Sequence, residues 1–208
     1  MRLLKQLLGL ELFDDNRTST IYLSLNSARF LTKNNLFTLK YYDKILENNL
    51  SDKGLNYELL FSGLLNYMIF IEQIGSLFYS QDSIKQIIEK LFPKFFTDDE
   101  KVSIVQFRNC FAHRFSLATE NKGNNSRKFR LELYSLESEK PIIEAKPKWE
   151  GDYSIKTNET DTIINVKSLI KFCENLFNSV ISENEKGNLR LVMQENEIMA
   201  KFTIVNQQ

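Results

Sequence analysis

The sequence predicts a mainly α fold, a helical bundle interrupted late in the chain by a β-hairpin insertion. Three observations carry that prediction. Seven glycines and three prolines in 208 residues are too few for a turn-rich all-β design. Apolar residues recur at helical spacing through most of the chain, the signature of buried helix faces. Strict apolar/polar alternation, the mark of strands, is confined to the region after residue 127 and to the extreme C-terminal tail. Hydrophobic residues make up 42% and charged residues 26%, enough apolar mass for a core and too much for a disordered chain. No Pro/Gly-rich linker divides the chain, so a single domain over 1–208 is expected.

Taken in order, the start MRLLKQLLGLELFDD has basic residues and leucines, lacks a small-residue cleavage site and turns acidic at Glu11, Asp14 and Asp15. It reads as a short amphipathic helix rather than a signal peptide. From Thr20 to Leu50, Tyr22, Leu25, Phe30, Leu36, Leu39, Ile45 and Leu46 fall at helical spacing, with a break at Asn34-Asn35, giving one long or two shorter helices. Ser51 to Gly54 reads as a turn, and Asn56 as the N-cap of a helix running to about Tyr79. Its apolar run, Leu59 to Phe78, is broken by Ser62, Asn66, Glu72 and Gln73, which predicts a central bundle helix and no membrane span. Gly63 and Gly75 would let neighbouring backbone approach closely, and Asn66, Gln73 and Ser76 trace a thin polar stripe suited to an internal polar contact. Asp82 is placed to cap a short helix from Ser83 to Leu91, ended by Pro93. Thr97 caps the next helix, with Asp98, Asp99 and Glu100 in its first turn.

Beyond Ala118 the pattern changes. ENKGNNSR reads as a polar loop, and Phe129, Leu131 and Leu133 then alternate with polar neighbours as a strand. Ile143, Ala145, Pro147 and Trp149 repeat the alternation after a turn at Glu139-Lys140-Pro141, so a hairpin is expected, its Pro-bearing second strand at an edge. Thr162 to Val166 adds a strand before a helix from about Lys167 to Ser182 with a wide apolar face. Leu189 to Met193 and Met199 to Val205 suggest a terminal hairpin. The bundle helices thus occupy about 20–118 and 166–183, the β-rich insertion about 127–165, and the tail 188–208.

Lysine plus arginine balance aspartate plus glutamate at 27 each, so any contact with nucleic acid must use a local patch. Cys110 and Cys173, with one histidine, make no Cys/His metal cluster of usual spacing. No metal and no cofactor is expected, and reduced thiols fit a cytoplasmic protein.

The stretch QFRNCFAHRFSLA, Gln106 to Ala118, holds that one histidine. On a helix at ~100° per residue, Ile104, Phe107, Phe111, Phe115 and Ala118 share one face. His113 falls opposite them, beside Asn109 one turn back and Gln106, with Arg108 at the border of the phenylalanine stripe. An isolated histidine is commonly a satisfied packing or surface residue; an amide one turn away and a guanidinium within reach suit an anion-directed site. Arg108, Asn109, three residues and His113 on a helix resemble the Arg-polar-x-x-x-His signature of HEPN domains. The resemblance covers the motif helix and extends to about 58–118 and 166–183. It implies a small helical bundle, commonly dimeric, of the kind many metal-independent endoribonucleases use in toxin–antitoxin, anti-phage or RNA-processing systems. The β-rich insertion and the C-terminal tail depart from a minimal bundle of that kind.

Metal-free RNA cleavage needs the 2′-hydroxyl deprotonated, the leaving 5′-oxygen protonated and the charge at phosphorus stabilised. One chain supplies one imidazole; the resemblance implies a homodimer that pairs two. His113 is then assigned to proton transfer, Arg108 to the scissile phosphate and Asn109 to orientation, giving 2′,3′-cyclic phosphate and 5′-hydroxyl ends. Arg114, Arg127, Lys128 and Arg130 are candidate contacts to the RNA backbone, with Lys122 and, on the expected hairpin, Lys146, Lys148 and Trp149; interspersed Glu120, Glu132 and Glu144 fit an ordinary solvated surface equally. Family members often have an antitoxin or nucleotidyltransferase partner. Three other readings stay open. Cys110, about 60° from His113, is either a nucleophile or a small packing residue. Asp98, Asp99 and Glu100 are either metal ligands or complements to a helix dipole. The whole chain is either a silent HEPN-like module binding RNA or protein, or a scaffold docking another chain through Leu3, Leu4, Leu7 and Leu8.

Overall fold

The computed structural model describes residues 2–32, 57–114, 116–119, 126–132, 138–146, 149 and 158–205. The expected break at Asn34-Asn35, the helix beyond it, the turn at Ser51 to Gly54, the Asn56 cap, most of the ENKGNNSR loop, Phe115, Leu133, Pro147 and Lys148 lie outside these residues. The described elements are α1 (Arg2–Leu7), β1 (Arg17–Ser19), α2 (Thr20–Leu31), α3 (Tyr57–Phe78), α4 (Ser83–Leu91), α5 (Asp98–Arg114), β2 (Lys128–Glu132), β3 (Ile142–Glu144), a 3-10 turn (Asn158–Thr160), β4 (Asp161–Asn165), α6 (Val166–Glu185), α7 (Glu195–Phe202) and β5 (Thr203–Val205). The described residues are mainly helical, with two small sheets among them. It divides into two compact units, Met1–Ile87 with Phe177–Gln208, and Ile88–Leu176; the divisions fall inside α4 and α6.

In the first unit, α3 is the most buried helix. Leu64, Tyr67, Met68, Phe70, Ile71, Ile74 and Leu77 are all at most 1% exposed. Leu60–Phe78 is long and apolar enough to cross a membrane, and 56% of it is buried inside the fold. The polar stripe bonds internally in part: Asn66 donates to the Ser62 carbonyl at 2.8 Å, Ser76 to the Gln73 carbonyl at 2.8 Å, and Gln73 Nε2 reaches the Thr20 hydroxyl at 3.4 Å, while Gln73 Oε1 is buried without a hydrogen bond among the described residues. Ser19 caps α2, its hydroxyl accepting from the Ile21 and Tyr22 amides. Leu4, Leu7 and Leu8 fill this unit's own core; the leucines offered as a docking surface are mostly spent inside the chain.

Both helix glycines mark close approaches, as expected. A Cβ on Gly63 would lie 2.5 Å from the Thr32 methyl and 3.1 Å from its backbone nitrogen, and one on Gly75 would lie 2.7 Å from the Ser83 carbonyl oxygen. Gly75→Ala is therefore expected to destabilise the protein. Overpacking against backbone costs about 1–3 kcal/mol, which outweighs the ~1 kcal/mol that alanine contributes in a helix. A thermal midpoint raised by this substitution would contradict the close packing.

The terminal hairpin is not formed. Residues 195–202 are helical, because Ile198 and Phe202, one turn apart, are both buried, and helical spacing outcompetes the weak alternation. Lys201 adds an i, i+4 pair with Glu197 at 2.7 Å. The strand that follows, β5, pairs antiparallel with β1, Thr203 opposite Ser19 and Val205 opposite Arg17.

In the second unit, Phe92, Phe95, Phe96 and Phe172 form an aromatic cluster with centroids 4.7–6.3 Å apart. The expected β2–β3 hairpin is replaced by a three-stranded sheet of order β2-β4-β3, with β4 parallel to β2 and antiparallel to β3. β4 takes the centre because nearly every residue along it is buried, whereas β2 and β3 are half-covered strands suited to edges. The proline-flanked β3 does lie at an edge, as read from sequence. Asn165 ends β4 and starts α6, its side-chain oxygen accepting from the Ser168 amide at 3.1 Å.

Candidate active site

Helix α5 begins with a reciprocal capping box: the Glu100 amide donates to the Thr97 hydroxyl at 3.2 Å and the Thr97 amide to the Glu100 carboxylate at 2.6 Å. The other acids of this turn are also engaged. Asp98 accepts from Lys101 at 3.2 Å and Asp99 from Arg127 at 3.0 Å, and Lys140 sits 3.1 Å from both Glu100 oxygens. Lys101 also bonds Glu89, which holds its ammonium above the ordinary lysine range. These contacts tie the helix start to the surrounding chain and account for the acids without a metal.

The helix stops at Arg114, four residues short of the expected Ala118. Ser116 diverts the chain, its hydroxyl accepting from the Ala118 amide at 3.1 Å, the local side-chain bond that competes with helix. Residues 116–119 then run beside 126–129, with the Phe129 amide bonded to the Leu117 carbonyl at 2.7 Å and the Thr119 amide to the Arg127 carbonyl at 2.9 Å. This arrangement places Phe129 against the helix.

The wheel is correct in part: Ala118, expected on the apolar face, lies beyond the helix and is half-buried, and Gln106, expected beside His113, is buried. Ile104, Phe107 and Phe111 are buried; Phe107 stacks on Phe111 at 5.1 Å and meets Phe129 edge-on at 5.4 Å. His113, on the opposite side, is exposed. Arg108, half-buried at the border, folds its long arm over both polar partners. Its Nη1 donates to the Asn109 side-chain oxygen at 3.0 Å and lies 2.9 Å from His113 Nε2. A guanidinium has donors and no acceptor, so in this contact His113 Nε2 is the accepting atom. Burial lowers the Arg108 pKa from its ordinary value.

The structure thus brings together Arg108, Asn109 and His113. It places the candidate backbone contacts differently from one another. Arg114 closes α5. Arg127 is buried, one nitrogen of its fork on Asp99 and another on the Lys146 carbonyl. Lys128 pairs with buried Asp161 at 3.1 Å, and Arg130 is half-buried on β2. Lys146 bonds Glu144 at 2.6 Å and Trp149 is buried. Cys110 is buried, its thiol directed at the Phe107 carbonyl at 3.2 Å, a packing position. Burial also pushes the Cys173 thiol well above its ordinary range.

Sequence reading missed the Asp99–Arg127 tie between helix start and strand approach. The two residues are 28 apart, and no local spacing announces such a pair. Arg127→Ala is expected to cost about 1–3 kcal/mol, because it removes a buried side chain and leaves the Lys146 carbonyl without its donor; exposed Asp99 returns to water and adds little. An unchanged denaturation midpoint would show that this pairing is not structural. Changes at Arg127 therefore report on folding before they report on RNA, and Arg130 is the cleaner probe of a backbone contact.

No family model, no curated protein and no solved structure matches the chain. The reading of the site rests on its own geometry and on the motif.

Proposed function

We propose that the protein is a HEPN-type, metal-independent endoribonuclease that works as a homodimer. One observation carries the reading: Arg108, Asn109 and His113 converge within hydrogen-bond distance on the face of α5 turned away from its phenylalanine core. In the proposed reaction, His113 Nε2 takes the 2′-hydroxyl proton and the 2′-oxygen attacks phosphorus. The P–O5′ bond breaks, and the leaving oxygen takes a proton from the imidazole of the second copy. Arg108 holds the phosphate and offsets its added charge; Asn109 orients the guanidinium. A cytoplasmic setting, a toxin or anti-phage role and an antitoxin partner belong to the same proposal.

The test is incubation of the purified protein with mixed RNA in excess EDTA, beside Arg108→Ala and His113→Ala, with product ends identified. Cyclic-phosphate ends from the parent alone support the reading; equal cleavage by His113→Ala removes it. A second reading, an inactive RNA- or protein-binding module, is favoured by one detail: the imidazole nitrogen needed as a base is already taken by Arg108. Binding of RNA without turnover would select it.

A further inference from the structure

The turn that joins α4 to α5 carries two aromatic rings that are not wholly spent in the core. Phe92 and Phe95 are half-buried, whereas their neighbour Phe96 is buried. Phe92 meets Phe172 at 5.2 Å and Phe95 meets Phe96 edge-on at 4.7 Å, so each ring is held in place while part of it stays open to solvent. The Phe95 amide bonds the Phe92 carbonyl at 3.2 Å, closing a turn with Pro93 and Lys94 at its centre. Lys94 has a φ of +68°, a value that type II turns ordinarily give to glycine or asparagine. The other non-glycine residues with positive φ among those described are Asn16 and Asp82, types that tolerate it; the lysine is held there against its preference. It is exposed, as is Lys90 at the end of α4.

Charge around the turn is paired off in a way that leaves these two lysines over. Glu89 and Asp98 share Lys101, Asp99 takes Arg127 and Glu100 takes Lys140. Neither Lys90 nor Lys94 has an ion-pair partner among the described residues. The Lys140 ammonium also lies 6.0 Å from the Phe95 ring centroid, so a third cation borders the rings. Open rings beside cations suit a single nucleic-acid strand, whose bases stack on the rings while its phosphates meet the cations. A duplex keeps its bases stacked inside and offers the rings nothing.

We propose that the 92–95 turn is a second RNA contact, in which an unpaired base stacks on Phe92 or Phe95 and Lys90 and Lys94 hold the flanking phosphates. The inference rests on reading the protein as one that binds RNA. The surplus of positive charge is small, so stacking carries most of the affinity and the lysines set its salt dependence. The turn lies at the start of α5 and His113 near its end, about 22 Å of helix apart, so a ligand too short to span that length gains nothing from the turn.

The experiment measures binding of an end-labelled single-stranded deoxyoligonucleotide of about 12 nucleotides, within the range of single-strand sites, by fluorescence anisotropy. Lacking 2′-hydroxyls, it is not cut. The parent should bind it more tightly than the same sequence as a duplex. Phe95→Ala should weaken binding about fivefold or more, the loss of one stacked base. Lys90→Ala combined with Lys94→Gly should flatten the plot of log affinity against log salt by about 1.4, at about 0.7 per phosphate contact on a single strand. Lys94→Gly alone should leave the melting temperature unchanged or higher, because glycine fits the left-handed position; lost binding there is not lost fold. If Phe95→Ala melts early, the lysine pair decides. Equal affinity for the duplex overturns the contact, as do variants that bind as the parent does. A parent that cuts RNA while its binding ignores these substitutions keeps the nuclease and loses the turn, and a parent that neither binds nor cuts loses both.

Discussion

His113→Ala is expected to reduce metal-free RNA cleavage by about 10²–10⁴-fold, the usual contribution of a positioned acid or base, while its melting curve overlays that of the parent. The two halves of this result have separate causes. The imidazole lies on the exposed side of α5, where truncation opens no cavity. The helix it sits on is held by other residues: the Thr97–Glu100 capping box at one end and Phe107 and Phe111 along the buried face. Loss of activity with loss of fold would mean that His113 is a structural residue. Loss of neither would remove it from the chemistry. For the proposed homodimer, a hybrid with one His113→Ala chain then asks whether two imidazoles are needed; full activity in the hybrid would show that one copy suffices.

Phe107→Ala should give the opposite pattern, a loss of about 3–5 kcal/mol in stability from a residue that touches no substrate in the proposed site. Phe107 is 1% exposed and is the ring shared by two contacts, stacked on Phe111 and edge-on to Phe129. Its removal leaves a void between the helix and β2, and both neighbours lose a partner. Chemical denaturation measures the effect. A cost under about 1 kcal/mol, the range of a surface change, would show that the stack is not a keystone of the second unit. Together the two substitutions separate the two faces of one helix, one answering in activity and the other in stability.

What the sequence made legible follows from how local each feature is. The Thr97 cap, the Phe107 and Phe111 stripe and the outward histidine each depend on residues within one or two turns, and wheel and spacing rules read them correctly; the return bond from the Thr97 amide to Glu100, which completes the capping box, was not read. The glycine approaches were legible because only a missing side chain explains Gly63 and Gly75 inside a buried helix. The β topology was not. Alternation identified strands near 129, 143 and 163, but pairing is decided by which strand is buried deepest, and β4 drew in two partners from earlier in the chain. The C-terminal tail misled for a related reason: over eight residues, Ile198 and Phe202 suit a helix, and β5 found its partner at β1, nearly the whole chain away. The Arg108 reach was half legible. The wheel sets Arg108 and His113 well apart, and only the length of the arginine arm closes the gap to 2.9 Å.

The central position of β4 has a consequence for how the protein is made. A ribosome delivers β2 and β3 well before residues 161–165, yet the described sheet pairs each of those strands to β4. Until β4 emerges, β3 has no ladder and β2 has only its bonds to residues 117–119, so Phe129 lacks the full sheet behind it. Non-local pairing of this sort slows folding. The nascent chain thus carries the complete Arg-Asn-x-x-x-His segment for some time before its supporting layer closes, and a product truncated ahead of Asp161 would have the motif without the scaffold.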